Sequence, residues 1–336
     1  MPRTDQALLL FRQIARPISF FVIGIFACVA TVEGEEFHLL SSWSPAYVGH
    51  AEIAGRFVSQ LNRSSGGEIK VRITGPEAIP PFEQLQPAAA GLVDFLFTHG
   101  AYHIGESGIG MALNAIEADP LVLRTSGIWQ AVDEHYRSLG LKLLALPTSA
   151  RGYHMLLKDE ISADCDLSGR KIRGSPAYLR LIRSLGATPV VLPAGEVYAA
   201  LEKHVVDGAA WPAAGSLPFR WYEVTAHYLR PTFGATTHQL FINLRRFERL
   251  APGQQQLLLG QGEILERDVY KRFAELVVIE EQAFKKFGLT STTLCGEPLA
   301  QLAQYWSDGT WSMAIAKSGV TAERLYKLAG AAGLTK

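Results

Sequence analysis

The stretch from Pro252 to about Phe287 constrains the fold more than any other part of this chain. Apolar residues at Leu258, Leu265, Val269, Phe273, Leu276 and Phe284 recur at helical spacing, and Pro252 suits a first helical position. At ~1.5 Å per residue, a helix over this range extends roughly 50 Å, longer than one small domain is wide. Such an element bridges two lobes. The 336 residues suffice for two domains of ordinary size, and 48% of them are hydrophobic, so each lobe can have a core.

Ahead of that helix, strand and helix patterns alternate in two runs. In the first, strands are expected at Phe37–Ser42, Ile69–Thr74, Val93–Thr98 and Leu141–Leu146. Between them, Ile53, Phe57 and Leu61 mark an amphipathic helix, and Phe82–Gly91 and Ser126–Leu139 also read as helical. The rhythm restarts after Pro147, with strands at Gly152–Leu157, Arg170–Arg173, Pro189–Leu192, Gly208–Trp211 and His238–Leu244. This βαβ alternation predicts parallel sheets with helices on their faces. Helices at Glu297–Lys317 and Thr321–Ala332 follow the long one. Two α/β lobes joined in this way suggest a ligand cleft between lobes that close by hinge motion.

The N-terminus reads as a signal peptide over residues 1–30. Arg3, Arg12 and Arg16 precede an apolar run from Ile18 to Val29 that is too short to span a bilayer comfortably. An uncleaved anchor and lipid attachment at Cys28, in Ile25-Phe-Ala-Cys28, are the alternatives. The formal net charge is zero, with no basic run, so no nucleic-acid partner is expected. Cys165 and Cys295 could pair in an oxidising compartment or stand as two buried thiols. Enzyme signatures fail: Gly105-Glu-Ser107-Gly108 lacks the final glycine of a nucleophile elbow, and no P-loop or H-E-x-x-H is present.

The segment Leu167-Ser-Gly-Arg-Lys-Ile-Arg173-Gly-Ser-Pro176 carries the best candidate for chemistry. Arg173 is expected at a strand end, running into a helix start with Ser175 at the N-cap and Pro176 at the first position. A planar guanidinium beside free helix N–H groups favours an anion, and a carboxylate in particular. An ordinary surface arginine beside a capped helix is the competing reading.

Downstream come Gly195-Glu-Val-Tyr-Ala-Ala-Leu201 and Val206-Asp-Gly-Ala-Ala-Trp211-Pro212, and upstream Gly91-Leu-Val-Asp-Phe95. Together with the Arg173 strand, these resemble, in order, the motifs of the DctP family, the solute-binding proteins of tripartite ATP-independent periplasmic (TRAP) transporters. The resemblance covers about residues 36 to 330. It implies an α/β, two-lobed periplasmic-binding-protein-like fold with a ligand cleft between the lobes and a long helix spanning both. Lobe I would hold 36–149 plus about 238–270, and lobe II 150–237 plus about 280–330.

The resemblance also implies that Arg173 pairs bidentately with a ligand carboxylate. Arg151, in Ala150-Arg-Gly-Tyr153, matches a second arginine that often assists; two guanidiniums in one cleft repel unless an anion neutralises them. Trp211 falls on a pocket-lining position that is polar in sugar-acid binders, which argues against a polyhydroxylated ligand. His99 and Gln239 match further pocket positions, and Trp43, after the first strand, could wall the cleft. Tyr102 and Phe82 are further wall candidates. Members that bind through a bridging cation carry acids near the "V-D-G" strand, where this chain has Ala209, Ala210 and Trp211, so neither metal nor cofactor is expected. The implied function is a periplasmic receptor that captures a small organic acid for the small and large TRAP permease subunits, and is not an enzyme. The alternatives are a periplasmic sensor module and an enzyme acting on an organic acid, with His99 as its base.

Overall fold

The computed structural model describes residues 35–149 and 151–335. The expected signal peptide, with Cys28, lies outside the described residues. Twelve strands are described: β1 (Glu35–Ser41), β2 (Ile69–Thr74), β3 (Phe95–His99), β4 (Leu141–Ala145), β5 (Thr148–Ser149), β6 (Tyr153–Leu157), β7 (Lys171–Gly174), β8 (Thr188–Val191), β9 (Gly208–Pro212), β10 (His227–Arg230), β11 (Thr236–Asn243) and β12 (Thr290–Thr293). They form two sheets. One has the order β2-β1-β3-β11-β4, with β5 beside β11; the other has the order β12-β10-β6-β9-β7-β8.

Both sheets are mixed rather than parallel. β1, β2 and β3 pair in parallel, but β11 lies antiparallel between β3 and β4. In the second sheet, β6 runs antiparallel to both β9 and β10. The cause is a chain that leaves each sheet and re-enters it. β11 returns to the first sheet after β6–β10 have been laid down in the second, and β12 returns to the second. Hydrophobic periodicity carries no direction, so it could not announce this.

Two segments cross between the sheets side by side, one from β5 to β6 and one from β10 to β11. Tyr153 and Phe233 exchange backbone hydrogen bonds there, at 2.9 and 3.0 Å. Gly152 (φ +55°) lies so close that a Cβ on it would collide with the carbonyls of Phe233 and Gly234. The third crossing is the long helix, Pro252–Lys286. At one end its buried Glu266 accepts from Arg124 (2.6 Å), Trp129 (3.0 Å) and the Leu146 N–H (2.6 Å), tying it to the first sheet. At the other, Phe284 stacks on His154 of β6, and Glu281 pairs with Arg230 of β10. Gly262 lets it approach β4, because a Cβ there would strike the Leu144 carbonyl.

The C-terminal helix, Gly296–Ala331, breaks at Gly319 (φ 46°, ψ −125°), between the two expected helices. Cys165 and Cys295 form a disulfide with a Cα–Cα separation of 5.3 Å. It joins the loop before β7 to the residue that precedes this helix. Among the described residues, no helix is long and apolar enough to cross a membrane.

Candidate functional site

β7 pairs in parallel with β8 on one side and β9 on the other, and Arg173 is its third residue. The flanking strands bury Arg173 to 1% exposure. Its Nε and Nη2 donate to the Leu192 carbonyl (2.9 and 2.6 Å), and its Nη1 to the Ala210 carbonyl (3.1 Å). The Trp211 ring lies 5.3 Å from the guanidinium carbon. Three of five N–H groups are thereby used, and none of them on a carboxylate. Burial lowers the pKa, and the groups opposing that shift are the Tyr102 and Tyr178 phenols, not an acid. A buried cation compensated only by neutral dipoles favours an incoming anion.

Arg173 lines a narrow cavity with an open mouth and about 30 Å³ of free space within it. The segments around the first sheet supply Trp43 and Tyr47 after β1, His99 and Tyr102 at the end of β3, and Thr236 and His238 on β11. Those around the second supply Tyr153, Ser175, Tyr178, Trp211 and Pro212 beside Arg173. Trp43 packs at 5.0 Å from Tyr47 and 5.3 Å from both Tyr102 and His238. Tyr47 meets Trp211 edge-on at 5.6 Å, so aromatic contact spans the two sheets.

The polar groups in the wall are mostly committed to the protein. His99 accepts the Ala101 N–H at Nδ1 (3.1 Å), which leaves Nε2 as the protonated nitrogen. Nε2 then faces Asn114 Oδ1 and the Tyr153 hydroxyl, both at 3.0 Å, while Tyr153 donates to Asn114 at 2.7 Å. Tyr47 and His238 Nε2 are 2.8 Å apart, and the Thr236 hydroxyl donates to the Gly152 carbonyl. Burial pushes His99 down to about 4 and holds His238 well below the usual histidine range, so both rings are neutral at pH 7.

Four of the six expected site residues therefore meet at one cavity: Arg173, Trp211, Trp43 and His99. Two do not line it. Arg151 is exposed and borders a separate surface depression with Arg230 and Glu281. It stands two residues before Tyr153, on the far side of the Gly152 turn. Gln239 is fully buried, and its Nε2 donates to the Thr237 carbonyl. Adjacent strand residues face opposite ways, so when His238 faces the cavity Gln239 faces away. Phe82 packs on Tyr102 from outside the lining. Ser175 occupies the expected cap position but makes no side-chain capping bond, and Pro176–Tyr178 is a 3₁₀ turn followed by a helix of only 6 residues. The charged group at this cavity is therefore the Arg173 guanidinium, without a capped helix end beside it. Tyr47, Tyr153, Tyr178 and His238 were not singled out from the sequence, although Tyr153 closes the Arg151 motif, Tyr178 follows Pro176 by two places and His238 adjoins Gln239.

Residues 119–305, over half of the chain, match the family described as bacterial extracellular solute-binding protein, family 7 (DctP). Among curated proteins, the chain is similar to a monocarboxylate 2-oxoacid-binding periplasmic protein of Nostoc sp., 26% identical over 186 residues (52% of this chain). The chain spans about half the length of that relative, 49%. Among solved structures, it resembles a Bordetella pertussis extracytoplasmic solute receptor binding pyroglutamic acid (TM-score 0.76, 16% identity, 88% of this chain and 99% of that one). It also resembles a TRAP periplasmic solute-binding protein of Desulfovibrio salexigens with bound orotic acid (TM-score 0.77, 20% identity, 88% and 98%). These likenesses give the two-lobed α/β fold, and with the matched profile they establish that the chain belongs to the DctP family of TRAP solute-binding proteins.

Proposed function

We propose that this protein is a periplasmic receptor that captures a small carboxylate-bearing organic acid and delivers it to the small and large permease subunits of a TRAP transporter. The observation that carries the reading is Arg173: a buried guanidinium with no counter-ion among the described residues, in an aromatic-walled cavity fed by both sheets. The Nostoc relative and the two solved receptors are named for acids, which supports a carboxylate ligand. The lobe boundaries proposed from the sequence, 36–149 with about 238–270 and 150–237 with about 280–330, leave one sheet mainly in each. Hinge closure between them would bury the acid against Arg173.

An enzyme with His99 as base is disfavoured by the ring itself, since both its nitrogens are occupied by protein partners. Arg151 also lies off the cavity, which removes the second clamp from that scheme.

A thermal-shift screen against an organic-acid library tests the receptor reading directly, because a ligand that binds only the folded state raises the melting temperature. For the best hit, Arg173→Ala should weaken binding by about thirtyfold to several thousandfold, the equivalent of roughly 2–5 kcal/mol for losing one side of a buried charge pair. Calorimetry returning near-parental affinity in a folded variant would remove Arg173 from the site.

A further inference from the structure

We propose that the cavity selects monocarboxylates that carry a planar aromatic ring and no second charge. This rests on the receptor function proposed above and goes further, to the class of acid.

The first argument is charge. Of the residues lining the cavity, Arg173 alone carries a charge at neutral pH, since the two histidines are neutral and no acid is present. One carboxylate cancels that charge. A second would be buried without a cation, and a ligand ammonium would be buried without an anion; each is strongly disfavoured in a site closed off from water.

The second argument is hydrogen bonding. Hydroxyl-rich acids need many partners, yet His99 and Tyr153 are committed to Asn114, Thr236 to Gly152, and Tyr47 to His238. A sugar acid would find those five groups already satisfied among themselves, with Trp211 Nε1 and the Ser175 and Tyr178 hydroxyls too few to replace its hydration.

The third argument is shape. Trp43, Tyr47, Tyr102, Tyr178 and Trp211 present ring faces and edges around the guanidinium. Flat walls favour offset or edge-on packing against a flat ligand. Arg173 holds the carboxylate at one end, and the rings cover the remainder.

The test is calorimetry on the whole protein at pH 7.5 with matched probes. Benzoate and 3-phenylpropanoate supply a ring and one carboxylate. Phthalate adds a second carboxylate to the first, phenylalanine adds an ammonium to the second, and gluconate replaces the ring with hydroxyls. The expected result is binding of at least one ring monocarboxylate, with its charged counterpart weaker by at least about thirtyfold. Phthalate or phenylalanine binding as tightly as its parent acid overturns the proposal, as does a non-aromatic or doubly charged acid proving the tightest ligand of a broad library. Those results leave the receptor reading standing. If no organic acid of any class binds, the receptor reading and the selectivity fall together.

Discussion

Replacing Glu280 with glutamine should make the protein relatively more stable as the pH rises. Glu280 lies on the long helix, 3% exposed, and accepts from the N–H groups of Gly215 and Ser216 and from the Ser216 hydroxyl. It fixes the turn after β9, the strand that carries Trp211. That turn packs so closely on Tyr47 and Val48 that a Cβ on Gly215 would come within 2.9 Å of each. Burial pushes the carboxyl up from 4.5 to about 7, although the Ser216 hydroxyl and the backbone N–H groups pull it back.

The folded state thus holds this proton more tightly than the unfolded chain does. Its contribution to stability is complete below pH 4.5 and is lost as the pH rises through 7. A shift of this size corresponds to about 3 kcal/mol. Glu280→Gln keeps an acceptor oxygen but does not titrate. Its unfolding free energy minus that of the parent should therefore climb by about 3 kcal/mol between pH 4 and pH 8. Urea unfolding of both proteins across that range measures the difference and cancels the other titrating groups. A difference that stays flat or falls with pH refutes the reasoning and leaves Glu280 ionised throughout.

The parent should lose stability in acid because of four buried histidines. His99 is pushed down to about 4, His103 and His154 to about 3, and His238 well below its usual value, in each case chiefly by burial. The stability they contribute is present above pH 6.5 and falls away below it, on the order of 4 kcal/mol in total between pH 6.5 and 5.5, as read by the urea midpoint. A second pair of variants tests the packing of the long helix. Gly262→Ala should destabilise by about 1–3 kcal/mol as its Cβ meets the Leu144 backbone, whereas Gly260→Ala, exposed with open space around it, should gain about 0.5–1 kcal/mol of helix propensity. Thermal unfolding showing the same sign for both would contradict the close approach of the helix to β4.

What could be read in the sequence follows from how each feature is encoded. The long helix announces itself through Pro252 and a sustained apolar face, although Val277 is buried where Leu276 is only partly so. Arg173 stands out through the motif it ends, Leu167 to Arg173, rather than through its short basic strand. Gln239 and His238 mark the limit: every residue of β11 is buried, so no alternation of polar and apolar residues tells which face meets the cavity. Arg151 was misplaced because position along the chain does not reveal on which side of a glycine turn a side chain emerges. β10 and the edge strand β12 escaped notice as four-residue elements, His-Tyr-Leu-Arg and Thr-Ser-Thr-Thr, without a hydrophobic signature. Tyr47, Tyr153 and Tyr178 read individually as core residues, and only the fold gathers them.

The small residues before Trp211 bear on why Arg173 stays available. Ala209 sits in register with Arg173 across β7 and β9, and the Ala210 carbonyl accepts one of its N–H groups. An acid at position 209, on the same face of the sheet as Arg173, would stand beside the guanidinium, pair with it, and compete with any ligand for the same charge. Alanine removes that competitor, and the backbone carbonyls that remain offset only part of the cost of burial. On the proposed reading, the missing compensation is what an incoming carboxylate supplies, in surroundings where unlike charges attract far more strongly than in water. The same omission limits the ligand to one charge, so grip and selectivity share a single cause: a cation buried without its partner.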